Sequence, residues 1–114
     1  MNTRRVLVVA VEEIDELPVP LHDAEVLVVA PALNSRMRHW CSDDRDALQR
    51  AGERLGSWLL ALDHVGIRAR GRVGDADVLQ AIEDELVAFP ADEVVVPAEL
   101  GERVQARFAL PLAA

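Results

Sequence analysis

The sequence contains no lysine and only one cysteine, and these absences exclude several kinds of chemistry. All twelve basic residues are arginine, so neither a P-loop lysine nor a Schiff-base lysine is available. The single cysteine is Cys41, which excludes an internal disulfide and a CxxC redox pair. The sequence therefore excludes lysine-dependent catalysis and a disulfide within the chain.

Long hydrophobic runs and an excess of positive charge are also missing. The longest apolar runs fall well short of the roughly 20 residues that a membrane-spanning helix needs. The amino-terminal apolar run ends in acids and lacks a small-residue cleavage site, so we expect a cytoplasmic protein. Twenty acidic residues against twelve basic ones give a net charge of −8, whereas a nucleic-acid binder needs a basic surface. Neither a membrane nor a nucleic acid is therefore expected as a partner.

What is present is the pattern of one globular α/β domain covering residues 1–114. About half of the 114 residues are apolar, enough for a single core. Four segments rich in β-branched residues predict strands at residues 5–11, 25–30, 67–73 and 93–96. The first two are near-continuous apolar runs, which is typical of strands covered on both faces. The third alternates with arginine, which predicts an edge strand.

Helical patterns separate these strands. The first helix is expected to begin after the N-cap Ser42 and to stop at Gly66. Gly52 and Gly56 lie one turn apart on it, a spacing that permits close approach of another backbone. A second helix is expected to open at Asp75 and end before Pro90. A third, weaker pattern carries Leu100, Val104 and Phe108.

This alternation predicts a small doubly wound parallel sheet of four, possibly five, strands with helices on its faces. The first crossover, residues 12–24, is only thirteen residues long and contains two prolines, so we expect no full helix there. The tail, residues 110–114, is a weak candidate for the fifth strand. Because the short crossover covers less of one sheet face, and because the edge of residues 93–96 is unpaired, we predict a homodimer.

One segment carries a resemblance to a known family. Residues 73–96, VGDADVLQAIEDELVAFPADEVVV, together with the strands VLVVAV and EVLVVA, resemble the universal stress proteins of the adenine nucleotide α-hydrolase-like fold. The resemblance implies a stress-response protein, with ATP held by an acidic residue after the first strand and by a glycine-rich stretch after the fourth. Here Val11, with Glu12 beside it, stands at the acidic position. Pro97 and Leu100 stand where small residues belong, and Gly101 is isolated.

These departures imply that ATP binding of the family's usual kind is lost. The function expected from the resemblance is then non-catalytic, through self-association or partner binding, with no cofactor. The alternative is a small-molecule binding protein that holds an adenine nucleotide or another anion at the carboxyl edge of the sheet, because ligands of open parallel sheets bind there. The candidate ligand-binding residues are Val11, Glu12, Ala30, Pro31, Asn34, Arg36, Arg38, His39, Gly74 and Asp75.

The loop after the second strand has two interpretations. Arg36 and Arg38 offer forked donors for a phosphate or carboxylate. The alternative is a surface loop packed over Trp40, with these arginines paired to the aspartates at the start of the following helix. A metal or Cys–His nucleophile at His39 and Cys41 lacks the further ligands or orienting groups that such sites need. No catalytic residue and no metal ligand are therefore assigned.

Overall fold

The computed structural model describes residues 4–14, 21, 23–33 and 44–108. In chain order the elements are β1 Arg4–Val9, β2 Ala24–Pro31, α1 Asp44–His64, β3 Ala69–Gly74, α2 Val78–Ala88, β4 Glu93–Val95 and α3 Ala98–Phe108. The four strands are all parallel, in the order β3-β2-β1-β4. This confirms the α/β class, the parallel sheet and the edge position of the third strand. Residues 110–114, the possible fifth strand, lie outside the described residues.

The helices cover the sheet on both faces, because the two central strands carry apolar side chains on both faces. Even-numbered residues of β1 and β2, such as Val8 and Val28, pack with Trp58 and Leu62 of α1. Odd-numbered residues pack on the opposite face; they include Leu7, Val9, Leu27 and Val29 and contact side chains of α2 and α3. The sheet is thus doubly wound, as the alternation of elements predicted.

The short first crossover contributes to the core on the α1 face. Leu21 is 1% exposed, and Ile14 packs partly buried against the same cluster. These two side chains cover sheet surface that a longer helical crossover would otherwise cover. The described part of the crossover, residues 10–14, 21 and 23, contains no helix.

The junction between α1 and β3 explains why the third strand begins later than predicted. Gly66 has φ +82°, which favours glycine. Its N–H donates to the Asp63 carbonyl at 3.0 Å, and the Ile67 N–H donates to the Leu62 carbonyl at 2.9 Å. These two bonds form a Schellman motif, so Gly66 is the predicted stop, and Ile67 closes the helix instead of starting the strand.

The second helix begins at a different cap from the one predicted. Asp77, not Asp75, is the N-cap: its Oδ1 accepts from the N–H groups of Leu79 at 2.9 Å and Gln80 at 3.3 Å. Asp75 lies two residues before the N-cap, where its Oδ1 accepts from the Asp77 N–H at 2.8 Å. The sequence contains two aspartates two residues apart, and the turn after Gly74 places the second, Asp77, at the N-terminus of the helix.

Close backbone approach occurs at the strand glycines instead of the helix glycines. A methyl group built on Gly52 or Gly56 would have no atom of the described residues within 4 Å, so the close approach that their spacing permits does not occur there. On Gly74 it would lie 2.7 Å from Cγ2 of Val29 and 2.9 Å from Cβ of Ala81. A glycine at this end of β3 therefore allows α2 to pack directly on the sheet.

Candidate functional site at the carboxyl edge of the sheet

The carboxyl ends of β1, β2 and β3 meet at one edge of the sheet, where the sequence predicts the ligand site. Ala30 pairs with Val73, and Pro31 pairs with Gly74, whose carbonyl accepts from the Ala32 N–H at 3.1 Å. Ala30 and Pro31 are buried. The backbone at these two strand ends is therefore part of the sheet, and the buried side chains of Ala30 and Pro31 are not accessible to a ligand.

The remaining candidate residues divide between described and undescribed parts of the chain. Val11 is half-buried against the cluster on the α2 and α3 face, while Glu12 and Asp75 are exposed. The other four candidates lie outside the described residues; they are Asn34, Arg36, Arg38 and His39. The ligand-binding role of that loop stays a prediction.

A side chain that the sequence analysis missed lies at this edge. Arg54, on α1, donates through Nε to the Ala10 carbonyl at 2.7 Å and through one terminal nitrogen to the Pro31 carbonyl at 2.6 Å. It thereby joins the ends of β1 and β2 through a residue far away in the sequence.

The reason for this bond lies in the hydrogen-bonding pattern of the two strands. The Ala10 N–H donates to the Val29 carbonyl at 2.8 Å. In a regular parallel pair the Ala10 carbonyl would then accept from the N–H of residue 31. Residue 31 is proline and has no N–H. The guanidinium of Arg54 supplies the missing donor, so Arg54 continues the pairing of β1 and β2 by one residue.

Burial and a neighbouring acid act on Arg54 in opposite directions. Partial burial lowers the pKa of its guanidinium, and the Glu13 carboxylate raises it. Arginine remains protonated after such a change. The positive charge therefore stays at the carboxyl edge, held by two carbonyl groups and by the field of Glu13.

The position of Arg54 in the sequence indicates that its side chain has polar partners in the interior. It lies three residues after Ala51 and four before Trp58, both buried on the inner stripe of α1. An arginine on such a stripe needs polar partners in the interior, and Pro31 identifies a strand end that lacks a donor. The pattern of either element alone does not connect the two.

Trp58 fixes the chain that leaves β1. Its side chain is 8% exposed, and Nε1 donates to the Glu12 carbonyl at 2.9 Å. The main chain after β1 is thus held by α1 through both Arg54 and Trp58. The Glu12 side chain remains exposed.

The strand order places the switch point of the sheet between β1 and β4, because the chain after β1 leads to one side and β4 lies on the other. Pro97 and α3 follow β4 directly. The Leu100 N–H donates to the Pro97 carbonyl at 2.9 Å, and Glu99 lies in the first turn of α3. The helix start at this switch point therefore carries a carboxylate and a proline.

Within residues 4–14, 21, 23–33 and 44–108, no group of three or more His, Cys, Asp or Glu side chains is arranged to hold a metal ion. Among the same residues, no helix has the length and hydrophobicity to cross a bilayer. Comparison with known proteins gives no matching family model and no significant match to a curated protein.

Proposed function

We propose that this chain is a non-catalytic protein of the universal-stress type that acts through self-association or by binding a partner protein. In this proposal it does not hold a nucleotide by its phosphates. The observation that carries the proposal is the helix start after β4, where Pro97 and Glu99 stand at the switch point of the sheet.

Phosphate binding at a helix N-terminus needs free N–H groups and a positive local field. Pro97 has no N–H, and the N–H of Leu100 already donates to the Pro97 carbonyl. The carboxylate of Glu99 occupies the first turn, where it is favoured by the helix dipole and repels a second anion. The start of α3 is therefore a poor phosphate site.

The chain after β1 adds to this repulsion. Because β1 and β4 are neighbours, Glu12 and Glu13 follow β1 at the same edge as Glu99. The positive charge of Arg54 is directed to two main-chain carbonyls. These charges favour a role in protein contacts over one in nucleotide binding.

A thermal-shift titration with ATP, ADP, AMP and cyclic AMP, each with and without Mg²⁺, tests this proposal. A ligand present at 100 times its dissociation constant would stabilise the fold by about 2.7 kcal/mol. We expect the melting temperature to stay unchanged with all four nucleotides, because Pro97 lacks an N–H and the Glu99 carboxylate repels a phosphate at the switch point.

A rise in melting temperature with any nucleotide would contradict the proposal and support the small-molecule alternative. The double variant Arg36→Ala, Arg38→Ala would then locate the ligand. Loss of the shift would place the nucleotide at the loop after β2, whereas an unchanged shift would place it elsewhere on the chain.

A further inference from the structure

The outer edge of β3 has main-chain groups directed away from the sheet. Among residues 4–14, 21, 23–33 and 44–108, β3 pairs only with β2. Because the Gly74 carbonyl accepts from Ala32, Gly74 faces β2, and alternate residues of the strand do the same. The N–H and C=O groups of Ala69, Gly71 and Val73 therefore face outward.

The side chains of β3 leave these main-chain groups accessible. The three outward-facing residues are small or β-branched, and Val73 is 37% exposed. The residues between them are Arg70 and Arg72, whose side chains are 71% and 63% exposed. The edge thus combines accessible hydrogen-bonding groups with two cations on one face of the sheet.

A groove lies on each face of the sheet beside this edge. The α1-side groove, of about 420 Å³, is lined by Glu25, Val26, Leu59, Asp63, Ile67, Arg68, Ala69 and Arg70. The α2-side groove, of about 210 Å³, is lined by Leu27, Arg70, Gly71, Arg72, Glu85, Ala88 and Phe89. A strand added to a sheet edge directs alternate side chains to opposite faces, so it would direct side chains toward both grooves.

The charges on the two faces differ. The α1 side presents Leu59 and Val73 next to the edge, together with the opposite charges of Asp63 and Arg68 in the groove. On the other side Arg72 contacts the buried carboxylate of Glu85 at 3.8 Å, and Arg70 contacts Glu25 at 3.2 Å. Both arginines remain mostly exposed in these pairs, so each can contact a further carboxylate.

We propose that the β3 edge binds an extended acidic segment of a partner protein as an added strand. Acidic side chains of that segment would contact Arg70 and Arg72, and apolar ones would lie on the α1 side. This inference deepens the proposed function and rests on it, because it names the chemistry of the partner.

A second copy of the chain fits this edge less well. Antiparallel pairing of two β3 strands about Gly71 would place Arg70 of one copy opposite Arg72 of the other. Like charges directly opposite each other destabilise a strand pair. An acidic segment turns the same two positions into attractive pairs.

Fluorescence anisotropy with a labelled peptide of sequence TEVEVET tests the proposal. This peptide alternates acidic and apolar side chains, and its backbone can pair with β3. Two control peptides isolate the contributions: TKVKVKT reverses the charge, and TEVEVET N-methylated at alternate residues removes donors along one edge. We expect saturable binding of TEVEVET alone.

Two variants of the protein test the two halves of the contact. Arg70→Gln with Arg72→Gln should weaken binding by about tenfold, since each exposed ion pair contributes only a few-fold. Val73→Pro should abolish binding, because it removes an outward N–H without breaking a bond to β2. The double variant Arg50→Gln, Arg107→Gln is the matched charge control; these arginines line neither groove, and binding should be unchanged. Thermal melts establish that each variant is folded.

Equal affinity for the N-methylated peptide, or full binding by a folded Val73→Pro variant, would show general charge attraction and overturn strand addition. Oligomers that Val73→Pro disrupts would identify a second copy as the occupant and overturn the acidic partner. Absence of TEVEVET binding would overturn this inference alone, since the proposed function depends on the nucleotide titration. A rise in melting temperature with a nucleotide, together with binding of TEVEVET, would overturn the proposed function and leave strand addition at β3 standing.

Discussion

Pro31 removes one donor from the pairing of β1 and β2, and the guanidinium of Arg54 takes its place. The two hydrogen bonds, at 2.7 and 2.6 Å, end on the carbonyls of Ala10 and Pro31, which are both buried residues. A buried carbonyl that loses its donor costs about 1–3 kcal/mol. The pair of Pro31 and Arg54 therefore acts as one structural unit, although 23 residues separate them.

Replacement of Arg54 should reveal this dependence. We expect Arg54→Met to lower the free energy of unfolding by about 2 kcal/mol, because it leaves the Ala10 carbonyl without its donor and the Pro31 carbonyl with only the Leu33 N–H. In the Pro31→Ala background the loss should be smaller by about 1 kcal/mol, since residue 31 then supplies an N–H to the Ala10 carbonyl. Urea unfolding of both single variants and the double variant measures this coupling.

Arg50→Met is the matched control for the loss of charge on the same helix. Arg50 pairs with Asp46 at 2.7 Å in an exposed i,i+4 arrangement, and such pairs contribute about 0.3–0.5 kcal/mol. Strict additivity of Arg54→Met and Pro31→Ala would contradict the substitution of one donor by the other.

At the scale of elements, the glycine at the end of β3 stabilises the fold, whereas the glycine in α1 destabilises it. Gly74 lies at the end of β3 against Val29 and Ala81, so a methyl group there would force α2 away from the sheet. Gly52 lies in α1 with open space around it, where its main effect is the entropy of the unfolded chain. The same substitution should therefore change stability in opposite directions.

We expect Gly74→Ala to destabilise the fold by about 2 kcal/mol, the usual cost of an overpacked core site. Gly52→Ala should stabilise it by about 1 kcal/mol, the difference in helix propensity between the two residues. Chemical unfolding of the two variants side by side checks both signs. Destabilisation by Gly52→Ala would mean that α1 has a close neighbour at that position.

Sequence patterns predicted all four strands and all three helices of the described residues, because each element carries its own periodicity. The alternation of arginine with small residues in β3 also identified its edge position. What the patterns missed depends on contacts between elements: the close approach at Gly74, the insertion of Arg54 and the cap at Asp77. Each of these is determined by a neighbour that the local sequence does not contain.

At the scale of the whole molecule, the sequence predicts which strand ends lie together but not the order of the strands. The rule that ligands bind at the carboxyl edge of parallel strands placed Ala30, Pro31 and Gly74 together, and they are together in the fold. The strand order, which the sequence does not specify, places the switch point between β1 and β4. Glu12 and Glu99 follow the two strands beside this switch point, and their carboxylates disfavour an anion there.

The two outer strands of the molecule present different edges to solution. β3 carries Arg70 and Arg72, which repel a second β3 strand, whereas β4 is short and carries valines beside Glu93. The β4 edge is therefore more favourable for self-association than the β3 edge. The net charge of −8 opposes the approach of two copies at low salt.

We predict a homodimer whose stability increases with ionic strength, because salt screens the repulsion between two acidic chains. Sedimentation equilibrium at tens of micromolar protein should give twice the chain mass of 12.5 kDa. The dimer fraction should rise between about 20 mM and about 500 mM NaCl. Val73→Pro is the control, since a change on β3 should leave the mass unaltered. A species of 12.5 kDa at both salt concentrations would contradict self-association and leave partner binding as the mode of action.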